Sequence, residues 1–330
     1  MQVQASSPTW LARLPVGLFA IPVGLYALGG AWRRGETLGW TAAAGVSAAL
    51  KGLALAVLGV LLVLYAAKIW RHPQAARAES THPVGGSLLA LIPLALLLTA
   101  ASHGSSNHGG WLALTLLALA LQAIIAFRVV AVITTGALPA AAVTPALYVP
   151  PVAGGYVGAM ALHALGYPGW AALLFGVALS SWALLEARVL NSLFAGPLPE
   201  PARPTIGLEL APPTVGTLCV ATLWPQLPGE LLIIGLGIAA GPIVAVLARY
   251  KWWHQVPFSP GFWSFSFPVA AFAGSIIEVV RRGGWPAEIA AAALALASAI
   301  IGYLLVRTLL LLIQGRIVPP PAAPAAPRQG

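Results

Sequence analysis

The chain has 330 residues, of which 59% are hydrophobic and only 8% charged, where a soluble domain carries about 25% charged residues; it reads as an integral membrane protein without a sizeable soluble domain. All eight acidic residues are Glu, and the lack of Asp excludes Asp-dependent triads, phosphoaspartate chemistry and EF-hand loops. The lone cysteine, Cys219, excludes intrachain disulfides and Cys-cluster metal sites, while the formal net charge of +9 suits both the handling of anions and the ordinary Lys/Arg excess of membrane proteins.

A membrane-crossing helix needs about 20 apolar residues. On that measure ten spans are predicted, at roughly 12–32, 42–67, 84–102, 110–134, 147–166, 169–190, 206–226, 231–248, 262–280 and 287–313. Met1–Pro8 is short and polar, leads straight into the first span and does not read as a cleaved signal peptide. Every odd-numbered span carries proline within or at its edge: Pro15 and Pro22, Pro93, Pro150 and Pro151, Pro212 and Pro213, and Pro268. The even spans have no internal proline, except the eighth, which has Pro242. The odd spans recur about every 60 residues, room for one helical hairpin per repeat.

A proline in a membrane helix frees a backbone carbonyl, which protein or a wet cavity must satisfy. Two readings of the alternation stand. Five kinked helices form an inner tube and five straight ones face lipid, or the pattern reflects only the higher Pro content of membrane helices. The first reading makes Pro22, Pro93, Pro150, Pro212 and Pro268 candidate pore-lining residues. Twelve Lys/Arg fall on the side shared by the two termini and five on the other, which puts both termini in the cytoplasm of a bacterial-type inner membrane. Residues 1–318 read as one transmembrane domain and the Pro/Ala-rich residues 319–330 as a disordered tail.

Inside the odd spans there is no Lys or Arg beyond Arg13, and the acids there, Glu209 and Glu278, sit near span ends. A tight dicarboxylate carrier calls for Arg or Lys at mid-membrane, whereas conduction requires weak sites. The pattern therefore favours a pore for small anions over a tightly binding carrier. Glu209 is either a pore carboxylate or proton site, or a first-turn Glu stabilised by the positive helix N-terminus. Glu186 reads as a helix-end residue. His103 and His108 have no third ligand in sequence, so no metal is expected. No motif calls for a cofactor or nucleic acid, and no cluster of acids, His or Cys suits an enzyme. The densest feature is Phe262-Trp263-Ser264-Phe265-Ser266-Phe267-Pro268. Its aromatics are either packing residues, or Phe267, directly before Pro268, projects into a narrow tube and blocks it by size and dewetting.

Several short motifs in fixed order resemble the family of TehA, the bacterial tellurite-resistance protein, which includes the plant slow-type anion channels and the yeast malate transporter. They are Pro15-Val-Gly-Leu-Phe-Ala-Ile-Pro-Val-Gly-Leu25, His82-Pro-Val84, Leu91-Ile-Pro93, Tyr148-Val-Pro150, Leu165-Gly-Tyr167, Leu185-Glu186, Gly207-Leu-Glu-Leu-Ala-Pro212, Phe262-Trp-Ser-Phe-Ser-Phe267, and Arg307-Thr308 with Gln314-Gly315. The resemblance implies an all-α integral membrane fold, ten helices in five hairpins with quasi-fivefold symmetry around a pore lined by the odd helices. It implies a homotrimer with one pore per protomer. By motif match the occluding phenylalanine falls on Phe267, and a pore glycine of the first helix falls on Ala20, a departure that adds a methyl at the constriction. Leu-Glu-Pro at the end of the sixth helix is replaced here by Leu185-Glu186-Ala187. The expected function is an anion channel for small monovalent anions such as chloride and nitrate, closed by Phe267. The alternative is a proton-linked secondary transporter of C4-dicarboxylate or tellurite that uses Glu209.

Overall fold

In hydrocarbon every backbone N–H and C=O must find a partner within the chain, which leaves helices as the economical solution for apolar runs of this length. The computed structural model describes residues 9–104, 108–136, 138–139 and 142–320, and its regular secondary structure there is helical. The main helices are α1 (Ala20–Gly35), α2 (Ala43–Arg71), α3 (Leu91–His103), α4 (His108–Thr134), α5 (Gly154–Ala164), α6 (Pro168–Ala195), α7 (Ala211–Leu223), α8 (Gly229–Ala248), α9 (Ser266–Gly283) and α10 (Ala287–Ile313). Of the segments built on them, nine among the described residues are long and apolar enough to cross a membrane. The remaining one, Pro145–Ala164, is a composite: a 3-10 turn (Pro145–Tyr148), a π turn (Val149–Ala153) and then α5. The adjacent Pro150 and Pro151 remove two successive backbone donors, so an unbroken α ladder cannot form there. Residues 321–330, most of the predicted tail, lie outside the described residues.

The prolines of the odd segments do not kink helices from within. Pro22, Pro93, Pro213 and Pro268 are each the third residue of their α-helix, in α1, α3, α7 and α9. First-turn N–H groups have no intrahelical partner, so proline there removes nothing. What precedes each helix is wound differently: 3-10 turns at Val16–Phe19, Glu200–Leu210 and Pro260–Phe265, and a short helix, Pro83–Leu88, before α3. The prolines mark the switch into α-helix. Side chains donate to backbone carbonyls near these switches. Gln122 on α4 donates to the carbonyls of Val149 and Pro150 at 3.0 and 2.8 Å, and Ser264 donates to the Pro204 carbonyl at 2.5 Å.

Packing sorts the helices into two sets. Of the spanning segments built on α1, α3, α7 and α9, between 56% and 89% of the most apolar stretch is buried, against 11% to 28% for α2, α4, α6, α8 and α10. Residues 143–159 of the composite segment are also buried. The buried elements contact one another in a closed order: α1 on α3, α3 on α5, α5 on α7, α7 on α9, and α9 on α1. Each exposed helix lies against the buried one before it, α2 on α1, α4 on α3, α6 on α5, α8 on α7 and α10 on α9. The core is thus a ring, and the outer helices present apolar side chains such as Val63, Phe127, Leu184 and Ile313 to the surroundings.

Candidate functional site: an apolar cavity at the helix-switch level

Where the 3-10 turns give way to α-helix, the ring holds a cavity of about 50 Å³, lined almost wholly by apolar groups. Every buried element contributes to its wall, among others Ala20 of α1, Leu91 of α3, Val149 of the π turn, Ala211 of α7 and Phe267 of α9. In the first four of these segments the lining residue stands two before a proline (Pro22, Pro93, Pro151 and Pro213). In the fifth the equivalent position is Ser266, which is fully buried, and its neighbour Phe267 faces the cavity instead. The substitution of one large ring for a small or aliphatic side chain breaks the regularity at one point of the wall.

Close backbone approach fixes that ring. A Cβ on Gly24 of α1 would lie 2.1 Å from Ser266 Oγ and 3.2 Å from the Trp263 ring, so only glycine admits α9 at this distance. On the other side a Cβ on Gly207 would lie 2.8 Å from both the backbone nitrogen and the ring of Phe265. Phe267 therefore emerges from a segment held between two glycines. Its support is aromatic. Trp263 donates from Nε1 to Thr308 Oγ1 of α10 at 2.8 Å, and the Phe265 and Trp253 rings lie 4.8 Å apart. Phe262 meets Phe258 in a stacked pair at 5.4 Å. The four aromatics thus take different surroundings: Phe262 and Phe265 pack outward, Trp263 is buried between helices and borders the cavity, and Phe267 borders the cavity as well.

The other predicted positions are placed as follows. Ala20 borders the cavity, whereas Pro22, Pro93 and Pro150 are not among its wall residues. Pro212 and Pro268 border separate clefts between neighbouring hairpins. Glu209 is buried, and its carboxylate accepts from Arg249, at the end of α8, at 2.9 Å. Its partner comes from the outer ring. Glu186 on α6 accepts from the Tyr148 hydroxyl at 2.7 Å and from Trp182 Nε1 at 2.8 Å. Glu186 lies within α6 rather than at its end, and it holds Tyr148, which borders the cavity. Tyr148 stands in a motif read for its proline alone.

The inner ring is not free of cations. α1 runs on to Gly35, which carries Arg33 and Arg34 within the helix rather than beyond its end. Arg34 Nη2 donates to Thr222 Oγ1 of α7 at 2.9 Å, and its Nε lies 3.5 Å from Glu278 of α9. The expectation of an inner ring without Lys or Arg past its entrance is corrected at this far end. It failed because the predicted span stopped at residue 32, one turn short. Among the described residues no three His, Cys, Asp or Glu side chains gather as metal ligands.

Residues 13–310 match the family described as SLAC1, voltage-dependent anion channel. The chain is also similar to the tellurite resistance protein TehA homolog of Haemophilus influenzae (strain ATCC 51907 / DSM 11121 / KW20 / Rd), at 30% identity over 311 residues, covering 92% of each chain.

Proposed function

The chain belongs to the SLAC1 family of voltage-dependent anion channels, and from that premise we propose that it is a multi-pass membrane channel for small monovalent anions such as chloride and nitrate, with Phe267 as its gate. In this reading Pro145–Ala164 is the tenth span, α1, α3, α5, α7 and α9 form a quasi-fivefold pore wall, and both termini face the cytoplasm of an inner membrane. Protomers assemble as trimers with one pore each. The observation that carries the reading is the cavity to which all five buried elements contribute, with the Phe267 ring on its wall where the fivefold pattern of lining residues breaks. An apolar constriction narrowed by such a ring sheds water and blocks a hydrated ion.

The test is anion current through planar bilayers for the wild-type chain and Phe267→Ala. The expected result is a rise of about tenfold or more on removing the ring. An unchanged current ends the gate assignment. Proton-linked transport makes a different demand. It requires uptake that saturates, depends on a proton gradient and is lost in Glu209→Gln. The burial of Glu209 against Arg249 supports instead a fixed, neutralised pair, so flux is expected to survive that substitution.

A further inference from the structure

Beyond the cavity, the lumen wall can be followed by seven-residue steps, which return to nearly the same face of an α-helix. From Ala20 on α1 they lead to Ala27 and then Arg34. From Phe267 on α9 they lead to Gly274, and from Ala211 on α7 to Leu218. These endpoints converge: a Cβ on Gly274 would lie 3.1 Å from Leu218 Cδ1 and 3.7 Å from Arg34 Cδ. α1 and α7 pack on the two sides of α9. The Arg34–Thr222 bond therefore spans α9, and it passes over Gly274, on the face that carries Phe267. The face that lines the cavity thus leads, at the far end of α1, to Arg34.

Its charge is held there without being cancelled. Glu278 is the shared carboxylate of three arginines: Arg281 at 2.7 Å, Arg282 at 2.9 Å and Arg34 at 3.5 Å. One carboxylate against three guanidinium groups leaves two positive charges in excess. Arg282 also donates to the Ala221 and Trp224 carbonyls at 2.6 and 3.2 Å, so it closes the end of α7. Arg34 also donates from Nη1 to the Gly30 carbonyl at 3.3 Å, which leaves one N–H on each of its two terminal nitrogens, and the Arg281 side chain is 34% exposed.

We propose that Arg34, with Arg281 beside it, forms an anion-recruiting site at the far mouth of the pore. The ligand is a small monovalent inorganic anion. A guanidinium is more weakly hydrated than an ammonium and offers a planar fork, so two oxygens of nitrate or one halide meet it directly. The excess charge raises the local anion concentration at the mouth, an effect that salt screens within about 8 Å at 0.15 M. The long Glu278 contact keeps the site weak enough to release the ion. This inference rests on the channel reading, yet part of its test does not.

The first arm measures chloride currents of Phe267→Ala against Phe267→Ala with Arg34→Gln or Arg34→Lys. Arg34→Gln is expected to lower the current about three- to tenfold at low salt and far less at high salt, and Arg34→Lys to restore most of it. A merely structural strut predicts the same loss at every salt concentration and no rescue by Lys, which overturns the proposal. Arg281→Gln, whose guanidinium bonds Glu278 from the next turn, is expected to give a smaller loss with the same salt dependence; no salt-dependent loss in it overturns the part assigned to Arg281. The second arm uses crystals of the wild-type chain soaked in bromide. An anomalous peak is expected at the Arg34 guanidinium and is lost in Arg34→Gln, while a wild-type mouth without bromide overturns the site whatever the currents show. A chain whose Phe267→Ala form passes no anion, yet binds bromide at Arg34, overturns the gate reading and keeps the site.

Discussion

Phe267 owes its position to two residues that have no side chain. Gly24 and Gly207 let the segment ending at Phe265–Ser266 approach α1 and the 3-10 turn before α7 at backbone distance. Gly24→Ala would set a methyl against the fully buried Ser266. It is expected to destabilise the protein by about 1–3 kcal/mol, read as a lower melting temperature in detergent. The same methyl pushes the segment that carries Phe267 off α1, so under the proposed gate a raised basal anion current should accompany it. Tyr148→Phe removes one donor from Glu186 and leaves Trp182 as its remaining side-chain donor in the structure. Loss of that bond is expected to cost about 1 kcal/mol, in the same melting assay. Phe267 and Ala20, which both border the cavity, were reached in the sequence through the family resemblance, Phe267 also through the proline that follows it. Gly24 was not, since its importance depends on which helix lies opposite, and nothing in a local motif states that. Arg34 was hidden by a span boundary drawn one turn early.

At the scale of the element, the prolines and their partners separate two kinds of cost. Pro268 occupies the first turn of α9, where no backbone bond is lost. Pro268→Ala should therefore change stability by less than about 1 kcal/mol. Gln122 is different: it donates to both the Val149 and Pro150 carbonyls of the π turn, and Val149 also accepts from the Gly154 N–H. Gln122→Leu removes the side-chain donor from both in an apolar interior and is expected to cost about 1–3 kcal/mol. A thermal unfolding series on the two variants distinguishes them, and equal effects would show that the switch into α-helix is under strain. The alternation of proline-bearing segments was readable from spacing alone. The form it takes was not, because a proline at a helix boundary and one inside a helix look alike in sequence. In sequence Gln122 is one polar residue in an apolar run, and its partners are 27 and 28 residues away.

For the whole molecule the consistent quantity is burial. The inner elements are covered by protein, and the outer ones expose rings and branched chains along their length. The proposed trimer predicts a detergent-corrected mass of three times 33.9 kDa by light scattering, and a single-protomer mass would remove the assembly from the proposal. The same partition has a consequence for how the chain enters the bilayer. In each hairpin whose two arms are both of spanning length, the buried arm has the lower mean hydropathy. A weakly apolar arm partitions poorly by itself, and the strongly apolar arm that follows it in sequence supplies the difference. The hairpin, rather than the single helix, is then the unit of membrane insertion, and truncating the chain after an odd arm should leave that arm outside the bilayer until its successor has been made.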